Sequence, residues 1–130
     1  MDVILDTCAL LSLVGLVEKR LSRRTLTYIR QAEHVFVSAC TIFEIAIKHK
    51  KQGLDLGVFV NPVELWNRAV TEYDLSERPV SHDIFYDSVL LPDHHSDPFD
   101  RIIIAHARRE QIPVVTFDST FQQYDVAVLF

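Results

Sequence analysis

The stretch Asp97-Pro98-Phe99-Asp100-Arg101-Ile102-Ile103-Ile104-Ala105-His106-Ala107-Arg108-Arg109-Glu110-Gln111-Ile112-Pro113-Val114-Val115-Thr116-Phe117-Asp118 decides the fold. Asp before Pro is a helix start, because the carboxylate caps free backbone N–H groups and Pro at the first helical position has no N–H to leave unpaired. The spacing predicts a helix from Asp97-Pro98 to Glu110, with His106 on its exposed side. Val114 to Phe117 is a short apolar run of the kind found in a buried strand, and it stops at Asp118.

Working outward, the same alternation recurs. Val3-Ile4-Leu5 predicts a buried strand ending at Asp6, followed by helical spacing over Thr7 to Val17 and Lys19 to Ala32. Val35-Phe36-Val37 predicts a second strand ending at Ser38. Thr41 to Gln52 predicts a helix with Phe43, Ile45 and Ile47 inside, Lys48, Lys50 and Lys51 outside, and Gly53 as its stop. Asn61-Pro62 opens a helix that runs to about Tyr73, and Pro79 to Ser81 is a strand candidate. Asp83 to Leu91 reads as a helix closed by Pro92, and His94, His95 and Ser96 as a solvated loop. Thr120 to Tyr124 reads as a helical turn, before a last strand from Val126 to Phe130. Strands alternating with helices predict an α/β domain with a mostly parallel central sheet, spanning residues 1–130 as one domain.

The bulk numbers agree with a folded domain. The chain has 130 residues, 48% hydrophobic and 24% charged, with 3 Gly and 5 Pro. No 20–50-residue repeat is present. The start is acidic where a secretory signal would be basic, and the longest apolar run, Cys8 to Val17, is about half a membrane span. A cytoplasmic protein is expected. Cys8 and Cys40 fit neither a zinc spacing nor a disulfide framework and read as small buried residues. The net charge of −5 argues against a general nucleic-acid binder, unless bound cations reverse the sign of a site.

In a parallel sheet, ligands gather beyond the carboxyl ends of the strands. Asp6 and Asp118 end strands, Glu44 lies early in the helix after the second strand, and Asp97 and Asp100 open the helix before the third. Each acid has a structural explanation too. Thr41 and Glu44 fit a capping box, Asp97 an N-cap, Asp100 the positive first turn of a helix, and Asp6 and Asp118 caps of the helical turns just after them. Brought together, however, two carboxylates about 4 Å apart repel by about 4 kcal/mol at an effective dielectric of 20. A divalent cation relieves that repulsion, and an all-oxygen donor set selects Mg²⁺ or Mn²⁺ over Zn²⁺. Such sites serve phosphoryl chemistry. Thr7, Ser38 and Thr116 flank the acids and can hold their rotamers or act simply as caps and strand ends. The cations Arg23, Arg24, Lys48, Lys50, Lys51, Arg108 and Arg109 can track a phosphate backbone or form solvated helix faces.

On four motifs the sequence resembles the PIN-domain nucleases, specifically the toxin subunits of VapBC-type toxin–antitoxin pairs. They are Leu5-Asp6-Thr7, Ser38 to Ile45 with Glu44 at the acidic position, Asp97 to Ala105, and Val115-Thr116-Phe117-Asp118 followed by Phe121 and Tyr124. The resemblance covers nearly the whole chain. It implies a three-layer α/β/α fold, Mg²⁺-dependent cleavage of RNA with Mn²⁺ as a substitute, inhibition by a cognate antitoxin, and a homodimer. By position, Asp6, Glu44 and Asp100 carry over as the central acids and Asp118 as the more variable fourth. Asp97 lies in the motif, although its N-cap role suffices to explain it. An antitoxin is expected to insert Arg or Lys among the acids and to cover the helices between Thr7 and Ala32, with Leu21 and Tyr28 partly exposed there. Two alternatives share the fold class: a receiver-like Mg²⁺-binding signalling domain and a catalytically inactive α/β binding module. The first needs a Lys after the late strands, whereas every Lys lies in the first half of the chain. A nucleotide-binding module lacks its Gly-rich loop.

Overall fold

The computed structural model describes residues 1–130. Five strands form one parallel sheet: β1 (Asp2–Leu5), β2 (His34–Ser38), β3 (Leu75–Arg78), β4 (Val114–Val115) and β5 (Val128–Leu129), in the order β3-β2-β1-β4-β5. Six helices connect them: α1 (Thr7–Leu13), α2 (Arg23–Gln31), α3 (Ala39–Gln52), α4 (Pro62–Glu72), α5 (His82–Leu90) and α6 (Pro98–Glu110). Side chains alternate across the sheet, so β1, β2 and β4 each feed two cores. Val3, Leu5, Val35, Val37 and Val115 pack with α1, α4 and Ile45 of α3. Ile4, Phe36 and Val114 pack on the other face with Ile84 of α5 and Ile102, Ile103 and Ile104 of α6. That is a three-layer α/β/α arrangement. Val3, Ile4 and Leu5 have no exposed surface, as expected of a central strand covered on both faces.

The chain extends the sheet from β1 through β2 to β3, then returns to the other side of β1 to add β4 and β5. The direction of winding therefore reverses between β1 and β4. Helices leave to opposite faces there and open a crevice at the carboxyl ends of the strands. Asp6 follows β1, and Thr116 and Asp118 follow β4, so the topology puts them at that crevice.

Several boundaries differ from the sequence reading, each for a local reason. The first helix stops at Leu13 rather than Val17, because Gly15 takes a left-handed conformation (φ 82°) that turns the chain. The second helix starts at Arg23, not Lys19; Ser22 caps it, its Oγ accepting the Thr25 N–H at 3.1 Å. α3 begins at Ala39 with Ser38 as its cap, so the Thr41–Glu44 capping box does not form. Phe43, expected inside, lies on the outer face of α3 at 61% exposure, with its ring edge-on to Phe99. Ile47 and Lys48 are both half-buried. The third strand is Leu75–Arg78, not Pro79–Ser81, since Pro79 has no N–H for a ladder and Ser81 caps α5. The last two strands pair over two residues each, shorter than expected. Leu21 is buried and Tyr28 half-buried, so Leu21 offers no surface to a partner. Cys40 is buried, with burial pushing its thiol up to about 11, whereas Cys8 is exposed on α1. No helix is long and apolar enough to cross a membrane.

Candidate active site

Asp6, Glu44, Asp97, Asp100 and Asp118 all line one cleft of about 420 Å³, together with Thr7, Cys8, Lys19, Lys48, Phe117 and Ser119. Four chain segments deliver these acids, and each carboxylate is held differently.

Asp6 is buried at the end of β1. Its Oδ1 accepts the Ala9 N–H at 2.8 Å, which caps α1, and its Oδ2 accepts the Thr116 hydroxyl at 2.5 Å. Thr116 Oγ1 in turn accepts the Asp118 N–H at 3.0 Å, so one threonine ties the ends of β1 and β4 together. Burial raises the Asp6 carboxyl to about 6, against the pull of Thr116 and Ala9, and Glu44 and Asp118 push the same way as burial.

Glu44 is also buried. Its Oε1 accepts the Thr7 hydroxyl at 2.6 Å, and its Oε2 pairs with Lys48 Nζ at 2.7 Å, one helical turn on. Burial pulls the Lys48 ammonium down, but the hydrogen bond and charge of Glu44 outweigh it and leave its pKa above the ordinary lysine value. Lys48 is thus a resident counter-ion of the cluster rather than a solvated charge.

Asp100 opens α6. Burial and the charges of Asp97, Asp6, Glu44 and Asp118 push its carboxyl up to about 8. A carboxyl group in this state keeps its proton at neutral pH unless positive charge arrives. Asp97 caps the same helix, its Oδ1 accepting the Phe99 and Asp100 N–H groups at 2.8 and 3.1 Å. Asp118 is the most solvated of the four principal acids. Partial burial raises it, but the Thr120 N–H, the Thr120 hydroxyl and His95 together hold it below the usual carboxylate range.

Of the flanking residues, Thr7 and Thr116 each hold a carboxylate of the cleft. Ser38 does not line it. Its hydroxyl accepts the Cys40 N–H and bonds His106 Nε2 at 3.0 Å. His106 is therefore not a surface residue, with only 2% of it exposed, and burial together with Arg78 lowers it to about 4. The second histidine to correct is His95. It is 14% exposed rather than solvated, and its Nε2 lies 3.0 Å from Asp100 Oδ2 and 2.9 Å from Asp118 Oδ2. The Lys48 pairing was readable as a Glu–Lys pair four residues apart. His95 carried no comparable signal beyond standing two residues before the Asp97 cap.

Comparison with known proteins shows the family of the chain. A family model described as PIN domain matches residues 3–127. The chain belongs to the PIN-domain family. Members of this family are typically nucleases that use divalent metals. FitAcB from Neisseria gonorrhoeae is 19% identical, with a TM-score of 0.68 over 98% of this chain and 96% of that one. VapBC2 from Rickettsia felis, solved bound to a DNA fragment from their promoter, is 14% identical, with a TM-score of 0.68 over 98% and 97%. VapC20 from Mycobacterium tuberculosis, described as a sarcin-ricin loop cleaving toxin, is 14% identical, with a TM-score of 0.61 over 96% of each chain. At these identities the likeness shows the PIN fold alone. No curated protein sequence matches the chain at a significant level.

Proposed function

We propose that this PIN domain is a Mg²⁺-dependent endoribonuclease and the toxin of a VapBC-type toxin–antitoxin pair. The observation that carries the reading is the convergence of Asp6, Glu44, Asp100 and Asp118 in one cleft, with too little positive charge to balance them. Burial first, and then the neighbouring acids, raise Asp100 to about 8 and Asp6 to about 6. The donor set fits the ion: the free lone pairs are carboxylate oxygens, which suit Mg²⁺ or Mn²⁺. When bound, the ion supplies Lewis acidity and neutralises charge at the scissile phosphate.

The chain's own residues do the rest. Thr116 and the Ala9 N–H fix both oxygens of Asp6, and Thr7 and Lys48 fix both oxygens of Glu44, so these two carboxylates do not have to reorganise during the reaction. Lys19 and Lys48 line the same cleft and offer cationic contacts to a phosphodiester. Phe117 lines the cleft with Lys19, whose Nζ lies over its ring 5.8 Å from the centroid. Asp97 remains a helix cap that orients Asp100.

Two protein partners belong to the same reading. An antitoxin inhibits by placing Arg or Lys among the four acids, where bidentate guanidinium–carboxylate geometry suits the site. A second copy of the chain covers α5, where Phe85, Tyr86, Val89 and Leu90 are each more than half exposed. The reading also makes the protein cytoplasmic, where its RNA is.

Incubation of the purified protein with cellular RNA in Mg²⁺, and again after EDTA, tests the proposal. Cleavage that EDTA abolishes and that Asp100→Asn lacks is expected. No cleavage with either Mg²⁺ or Mn²⁺ would return the site to an inactive binding module.

A further inference from the structure

The loop from Leu91 to Asp97 is bound to the rest of the molecule at almost every residue. Arg101 donates five hydrogen bonds to backbone carbonyls: Ser88 and Val89 at the end of α5, then Leu91, Pro92 and His95. Tyr124 Oη accepts the His94 and His95 N–H groups at 3.2 and 2.8 Å and donates to the Pro92 carbonyl at 2.8 Å. The His95 ring stands edge-on to the fully buried Phe121, with centroids 5.8 Å apart. This anchoring fixes the His95 imidazole in place.

The ring's two nitrogens have unequal partners. Nδ1 accepts the Asp97 N–H at 3.1 Å, which requires a lone pair there and puts the ring proton on Nε2. Nε2 has its hydrogen bond with Oδ2 of Asp118 at 2.9 Å and lies 3.0 Å from Oδ2 of Asp100. The three ligand-type atoms lie within 4.8 Å of one another. A nitrogen that carries a proton cannot ligate a metal. Moving the proton to Nδ1 would set it against the Asp97 N–H.

We propose that His95 is a positioning residue, whose Nε2–H holds the Asp118 carboxylate beside Asp100 and so sets the two carboxylates for one divalent cation. The inference rests on the nuclease reading for the cation, but not for the tie. Asp118 needs the tie most, because it follows a strand of only two residues and its carboxylate is 41% exposed. A continuous run of bonds then joins the first turn of α6, through the Asp97 N–H and His95, to the loop after β4.

The metal-free protein is tested first, by the ¹⁵N shifts of the His95 ring. Expected are an unprotonated Nδ1 and a protonated Nε2; the opposite tautomer overturns the proposal. Mn²⁺ affinity is measured next. His95→Ala should weaken it about tenfold or more, the usual scale for losing a residue that orients a ligand, with circular dichroism unchanged. His95→Gln can return an N–H to the same place and should bind within about threefold of the parent. Parental affinity in the Ala variant, or a Gln variant as weak as Ala, overturns the proposal. So does a directly coordinated ¹⁴N in the Mn²⁺ electron-spin-echo spectrum of the parent, which would make His95 a ligand. A parent protein that binds no Mn²⁺ and cuts no RNA refutes the nuclease reading instead, and the tautomer still decides the tie.

Discussion

Raising the pH of the metal-free protein from 6.5 to 8 should make it markedly less stable. Asp100 has its carboxyl raised to about 8, by burial first and then by Asp97, Asp6, Glu44 and Asp118, against an ordinary value of 3.8. Between those two pH values the folded protein holds a proton that the unfolded chain has lost, so stability falls as pH rises. Each tenfold drop in proton concentration across that range costs about 1.4 kcal/mol, and roughly one and a half decades separate pH 6.5 from Asp100's value, giving about 2 kcal/mol. The window is chosen to isolate Asp100. Asp6 is raised only to about 6, and His106, lowered to about 4, acts below its ordinary 6.5. Urea unfolding at pH 6.5 and 8 in EDTA reads the difference. Asp100→Asn should flatten the dependence and leave the metal-free variant at least as stable as the parent at pH 8. Millimolar Mg²⁺ should stabilise the parent more at pH 8 than at 6.5, because the ion replaces the proton. A parent whose stability does not change over this window, or an Asp100→Asn variant with the parental slope, would refute the claim that burial and its acidic neighbours raise the Asp100 carboxyl.

The remaining predictions concern single residues. Asp6→Asn and Glu44→Gln should each remove nearly all RNA cleavage while circular dichroism stays parental; Asp118→Asn should be milder and Asp97→Asn mildest, and an Asp97 variant as inactive as the Asp100 variant would contradict the capping role. Lys48→Met leaves buried Glu44 without its counter-ion and should lower metal-free stability by about 1–3 kcal/mol at pH 7, a loss that added Mg²⁺ partly restores; a neutral effect in urea titrations would show that the pair is only a surface contact. His106 is neutral when folded but charged when unfolded between about 4 and 6.5, so its contribution is whole above 6.5 and shrinks by about 3 kcal/mol as pH falls to 4. His106→Gln should lose correspondingly less stability on acidification, and an identical acid limb in parent and variant would contradict that. Arg101→Lys gives up a planar fork that serves five carbonyls, and it should make the 91–97 segment an early cleavage site in limited proteolysis.

The sequence by itself determined the alternation of strands and helices and the acids Asp6 and Asp118 that follow two of the strands. Those features are local: apolar runs such as Val3-Ile4-Leu5 are covered on both faces, and Asp97-Pro98 starts a helix wherever it stands. It also placed Asp6, Glu44, Asp100 and Asp118 in segments that a parallel sheet directs to one edge. What the sequence could not determine is which groups meet across those segments. The capping box expected of Thr41 and Glu44 was locally sound, but Ser38 takes the cap and frees Glu44 to meet Thr7, a partner 37 residues away. His106 looked exposed because its helix was read without the sheet that buries it against Ser38. His95 read as solvated because nothing in its neighbours announces that Arg101 and Tyr124 will pin the loop and aim the ring at Asp100 and Asp118. Secondary structure comes from short-range sterics and periodic burial, which neighbouring residues encode. The protonation of a carboxylate and the company of an imidazole depend on desolvation and charge from residues distant in the chain, and only the folded arrangement brings those within reach.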